Sequence, residues 1–208
     1  MPADTDIGNM ALSRLGTRAT IADLTENSTE ARQLNIWYET VRDELQSLVD
    51  WNFNRVSQAL AASGTPPARW ASSYAYPSDC LRMRRLDFGG ASWVAGSPAT
   101  GFEIASSGSG TFLYCNEDQV SAVYAQRVTD PARFTPGFTL AFVDCLAASV
   151  ALAITQKADL AERLARRAQE RIERAIADSA NEGIVPGDLD RLAASLGVRG
   201  FDGSTSWP

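Results

Sequence analysis

The chain has 208 residues, 45% of them hydrophobic and 21% charged, with a formal net charge of −6. That size supports one domain, or one core with an appended lobe, and folding can bury roughly 70% of the unfolded surface without covalent staples. The acidic balance argues against a surface that grips many phosphates, and the composition argues against a disordered or fibrous chain. The start, Met1-Pro2-Ala3-Asp4, has neither a basic nor an apolar signal region, so folding in a cytoplasm is expected.

A short helix is predicted over residues 4–15, with Ile7, Met10, Ala11 and Leu12 at helical spacing and Gly16 as its stop. A longer helix begins near Asn27, which can cap it, with Glu30 in a capping-box position. Ala31, Leu34, Tyr38, Val41, Leu45 and Leu48 then recur at steps of three and four, so one face must be buried. Trp51 and Phe53 lie at its end, and residues 55–62 read as a polar, helically spaced continuation that Gly64-Thr65-Pro66-Pro67 breaks.

From about residue 76 to 128 the pattern changes to strand-like runs at 81–88, 92–95, 102–105, 111–115 and 120–128. Gly89-Gly90 and the Ser/Gly cluster at 106–110 serve as hairpin connections. After Asp130-Pro131, Pro136 starts a helix that is apolar nearly all round from 138 to 154. That run is short for a bilayer and carries Asp144, so it reads as a core helix. Leu160, Leu164, Ala168, Ile172 and Ile176 make a narrow stripe on a last helix. From residue 181 the chain is glycine-rich, with one helical piece near 188–196, and reads as an extended tail. The expected fold is α+β: mainly a helical bundle from 1–65 and 130–180, a small antiparallel sheet inserted at 66–129, and a C-terminal tail over 181–208.

The chain contains no histidine, which removes the usual triads, general bases and the commonest metal ligand. No GxSxG, Walker, GxGxxG or HExxH pattern occurs, so neither enzymatic activity nor a cofactor or metal is expected. Cys80, Cys115 and Cys145 are widely spaced and read as small buried hydrophobes. Glu39 and Asp43 share a helix face beside Arg42, with Glu44 on another side. Nothing apolar nearby would perturb them, so a solvated face is the reading. Arg163, Arg166, Arg167, Arg171 and Arg174 alternate with Asp159, Glu162, Glu170 and Glu173 at intrahelical pairing distance. They read as a salt-bridged face, with DNA contact as one alternative and a subunit interface at Arg163, Arg167, Arg171 and Arg174 as another. Trp37, Trp51, Phe53, Trp70, Tyr74 and Tyr76 suit core packing and subunit contacts better than base stacking, because no basic groove accompanies them.

Several fragments stand in a telling order: Asn9-Met10-Ala11-Leu12-Ser13-Arg14-Leu15-Gly16, Ile21-Ala22-Asp23-Leu24, Glu30-Ala31-Arg32, Tyr38, Val41-Arg42-Asp43-Glu44-Leu45 and Trp51-Asn52-Phe53. Tyr74-Ala75-Tyr76-Pro77-Ser78-Asp79-Cys80-Leu81-Arg82 and Val128-Thr129-Asp130-Pro131 follow, then Phe134, Phe138 and an alanine-rich helix closing at Ile154-Thr155. As a set they resemble the tail tubular protein A family, the head-to-tail adaptors of short-tailed bacteriophages. The likeness runs roughly from residue 7 to 180 and departs from the family between 87 and 110 and in the C-terminal tail.

The resemblance implies a structural virion protein of the tail neck, made in the host cytoplasm, without enzymatic activity, cofactor or membrane. It implies a homo-oligomer, a twelve-subunit ring beneath the portal protein. The ring would offer its other rim to a tail nozzle, like tail tubular protein B, and to a tail fibre or tailspike. Genomic DNA would pass through its channel without sequence-specific binding, and an acidic wall would suit that passage. If the tail docks on the portal, Phe201 and Trp207 are its natural anchors. The competing expectation is a head-completion protein that stabilises packaged DNA; a cytosolic enzyme or a DNA-binding regulator would belong to other classes.

Overall fold

The computed structural model describes residues 3–95, 101–108 and 110–181. It contains four helices, α1 (Asp4–Arg14), α2 (Thr29–Leu48), α3 (Pro136–Thr155) and α4 (Ala158–Asn181). The seven strands are β1 (Arg55–Ala59), β2 (Ser72–Ala75), β3 (Cys80–Phe88), β4 (Ala91–Val94), β5 (Phe102–Ser107), β6 (Gly110–Cys115) and β7 (Ser121–Gln126). A helical piece near 188–196, Phe201 and Trp207 lie outside the described residues.

Each helix has a local reason to begin or end where it does. Gly16, at φ +72°, follows the end of α1 in the left-handed region that glycine enters without penalty. The α2 cap is Ser28, whose hydroxyl accepts from the Ala31 amide at 3.2 Å. Asn27, expected in that role, instead accepts a hydrogen bond from Arg32. Thr135 caps α3 by accepting from the Phe138 amide at 3.4 Å, with Pro136 as the first helical residue.

α3 is the axis of the helical lobe, and α1, α2 and α4 all pack on it. This explains why its sequence is apolar nearly all round: Phe138, Phe142, Leu146, Ala147 and Val150 are each 0% exposed. Aromatic rings fill the junction of α2 and α3. Tyr38 meets Phe142 edge-on at 5.0 Å, and Trp51 meets Phe138 likewise at 5.3 Å. Trp51 also donates from its indole to the Leu45 carbonyl at 2.7 Å, which satisfies its one polar atom inside the core.

The strands correct the expectation of a mainly helical bundle with a small inserted sheet. They form two antiparallel sheets, of order β1-β7-β3-β4 and β2-β6-β5, and the chain is about 45% helix and 24% strand. The sheets share a core of their own, in which Tyr74, Leu113 and Cys115 of one meet Met83, Leu86, Ala122 and Tyr124 of the other. The fold is therefore α+β with two cores. β1 arises from residues expected to continue as helix. Val56 and Leu60 both pack against the second core, and a spacing of four keeps two side chains on one face of a strand as well as of a helix. β2 was likewise absent from the expected strands. The hairpin expected at Gly89-Gly90 is present, with φ of +48° and +87° at the two turn residues and Phe88 paired to Ala91.

Polar contacts, one of them fully buried, tie α2 to the sheet lobe and to the chain leaving β7. Gln46 is 0% exposed and holds the Val128 backbone twice, donating to its carbonyl at 2.7 Å and accepting from its amide at 2.8 Å. Arg84 of β3 donates to the Ser47 and Val49 carbonyls at the end of α2, where a cation also suits the helix dipole. Asp43 accepts from Arg42 and Arg127, each at 2.8 Å.

Candidate functional site

A lone carboxylate inside an apolar helix requires cationic or hydrogen-bonding partners. Asp144, in the middle of α3, is 0% exposed and gathers three arginines from two other helices. Arg14 of α1 brings Nε to 3.0 Å from Oδ1, and Arg167 and Arg171 of α4 bring Nε to 3.4 Å from Oδ2. The Arg14 contact is a close ion pair without hydrogen-bond alignment. The arginine side chains keep 30%, 46% and 28% of their surface in water, so the carboxylate is sealed while the cations remain reachable. One negative charge stands against three positive ones.

The four arginines singled out as a subunit interface occupy related positions. Arg163, Arg167, Arg171 and Arg174 follow one another at steps of four, four and three, which places them along one flank of α4. Arg167 and Arg171 turn to Asp144 of the neighbouring helix rather than to the glutamates of their own. Arg163 and Arg174 are exposed and form no ion pair with the described residues. Arg14 was missed. The signal available for it was Asp144 itself, a charge that the surrounding residues 138–154 cannot neutralise.

Beside Asp144, burial pushes the Cys145 thiol up to about 12, and the negative charges of Asp144 and Glu44 push in the same direction. Cys80 and Cys115 are also raised by burial, and all three thiols are free. Of the carboxylates considered on α2, Asp43 serves the strap between the lobes, while Glu39 and Glu44 are exposed. Trp51, Phe53, Tyr74 and Tyr76 belong to or line the cores, Trp70 donates to Glu103 at 3.1 Å, and Trp37 stays 40% exposed.

Among the described residues no group of three or more cysteines, aspartates or glutamates is arranged to hold a metal. A concavity of about 170 Å³ in the sheet lobe is lined by Gly64, Thr65, Ser73, Ser107, Phe112 and Tyr114, and it contains no carboxylate or cation. α3 is long and apolar enough to cross a membrane, but it is mostly covered by protein and contains Asp144. No protein-family model matches the chain, and no curated protein matches it.

Proposed function

We propose that this chain is a structural subunit of a head-to-tail adaptor ring in a short-tailed phage, joining the portal to the tail nozzle and extending the DNA channel. The observation that carries the reading is where the fragments resembling the tail tubular protein A family fall in the fold: at its joints. Asn9 fastens Ile21 from both sides, donating to its carbonyl at 2.9 Å and accepting from its amide at 2.8 Å. Tyr38 donates to Asp4 at 2.7 Å, and Asp43 and Trp51 make the strap and core contacts already described. Asp79 collects Tyr124 at 3.1 Å and Gln126 at 2.7 Å. A set of residues that fixes tertiary geometry is what a shared fold would preserve in common. Two separately cored lobes, tied by hydrogen bonds from Arg84 and Arg127 of one to α2 of the other, also suit a rigid wedge with one contact surface at each end.

In this reading the portal protein binds one rim, and the nozzle and a fibre or spike bind the other. Genomic DNA passes through without being held, and Phe201 and Trp207 are the candidate portal anchors. Electron microscopy of the full chain mixed with cognate portal rings tests it. The expected result is a second twelvefold ring stacked coaxially on the first, weakened by Phe201→Ala and Trp207→Ala. A chain that stays monomeric beside intact portals would sink the adaptor reading and favour a head-completion protein.

A further inference from the structure

The arginine flank of α4 has more positive charge than the chain itself neutralises. Asp144 is sealed and already holds Arg14, Arg167 and Arg171, and Arg163 and Arg174 remain exposed at the two ends of the flank. In a chain of net charge −6, a flank about 16 Å long on which four arginines outnumber the acidic residues of the same face, Asp159 and Glu170, is a local exception to the surface around it.

The complement to that strip lies on α2. Glu30, Gln33, Trp37, Thr40, Glu44 and Leu48 recur at steps of three and four, so they run down one flank of the helix for roughly 27 Å. Trp37 is 40% exposed and Leu48 48%, and the adjoining Ile36 is 62% exposed. Aromatic and aliphatic surface framed by carboxylates is the chemistry that an arginine row covers well. Guanidinium groups pair with the glutamates and stack on the indole, and their apolar stems lie over the leucine. Within one subunit the two stripes do not serve each other, because α2 and α4 each pack on α3 rather than on one another.

We propose that the arginine flank of α4 in one subunit seats on the Glu30–Trp37–Glu44–Leu48 stripe of α2 in a second copy, and that this head-to-tail contact closes the ring. The inference rests on the adaptor reading for the presence of neighbouring copies. A heterologous contact of this kind uses two different surfaces per subunit and propagates until it closes. Phosphates of duplex DNA would also satisfy the arginines, but they would leave the exposed apolar surface of α2 without a partner, so a second copy fits both halves of the observation.

The test uses the full chain, cognate portal rings and three variants: R163E/R174E, E30R/E44R, and the four substitutions combined. None of these residues contacts Asp144 or the straps between the lobes, and circular dichroism melting checks that each variant is folded. Stacked rings should fall at least tenfold for each one-sided variant and return for the combined one, with wild-type assembly weakening as salt rises. One-sided variants that build rings like the wild type, or a folded combined variant that does not recover, would overturn the contact while leaving the adaptor reading intact. Assembly that stops at dimers would exclude the head-to-tail arrangement. Intact rings together with loss of salt-sensitive duplex binding in R163E/R174E would make the flank a phosphate surface instead. Absence of any wild-type multimer on the portal would remove the adaptor reading and this contact together.

Discussion

Three cations surround Asp144 where one would neutralise it, so no single arginine is indispensable. Each is about a third to a half in water, and an ion pair so placed contributes little by itself. Replacing Arg14, Arg167 or Arg171 singly by glutamine should therefore cost under about 1 kcal/mol. Replacing all three leaves a sealed carboxylate without a counter-charge, and the loss should rise to about 3–5 kcal/mol. Denaturant unfolding measures both, and a triple variant no weaker than the sum of the singles would show that the arginines do not substitute for one another. The same environment governs Cys145. With its thiol pushed up to about 12, almost no thiolate is present at pH 8. Alkylation of Cys145 at that pH should be roughly a thousandfold slower in the folded chain than in the unfolded one, and should accelerate with each pH unit up to about 12. Peptide mass spectrometry after timed iodoacetamide treatment reads the rate, and labelling as fast as in urea would contradict the burial.

At the level of elements, the tie between α2 and the chain leaving β7 depends on Gln46. Gln46→Leu keeps approximate size but leaves the Val128 amide and carbonyl buried and unpaired, so about 2–4 kcal/mol of stability should be lost, measurable as a drop in the urea midpoint. The sequence offered no hint of this role, because a glutamine on an amphipathic helix looks like any solvated polar residue until the strand end that it holds is known. The helices were legible from local signals: the three-and-four recurrence of α2, the Gly16 end of α1 and the Pro136 start of α3. The hairpin at Gly89-Gly90 was legible for a similar reason, since adjacent glycines suit a turn needing two positive φ angles. β1 was not, because Val56 and Leu60 satisfy both periods and only the pairing with β7 chooses between them. The arginines of α4 were legible as a group but not in their direction. Intrahelical glutamates stood at the right spacing, yet a buried carboxylate on the next helix has the stronger need for cations.

At the scale of the whole molecule, two cores joined by hydrogen bonds rather than by one continuous apolar seam divide the labour. The helical lobe holds the charged and apolar stripes through which copies are proposed to meet, and the sheet lobe presents a surface of its own. The position of Asp144 also orders events in time. Synthesis runs from the N-terminus, so the strands between Arg55 and Gln126 can pair before α3 or α4 exists, whereas α3 emerges with an apolar surface long enough to attract a lipid bilayer. Arg167 and Arg171 have not yet been made when it does, and Arg14 has. Of the three arginines that meet Asp144 among the described residues, Arg14 on the first helix is thus the one already present to hold α3 to its own protein during that interval, and the other two join it when α4 arrives.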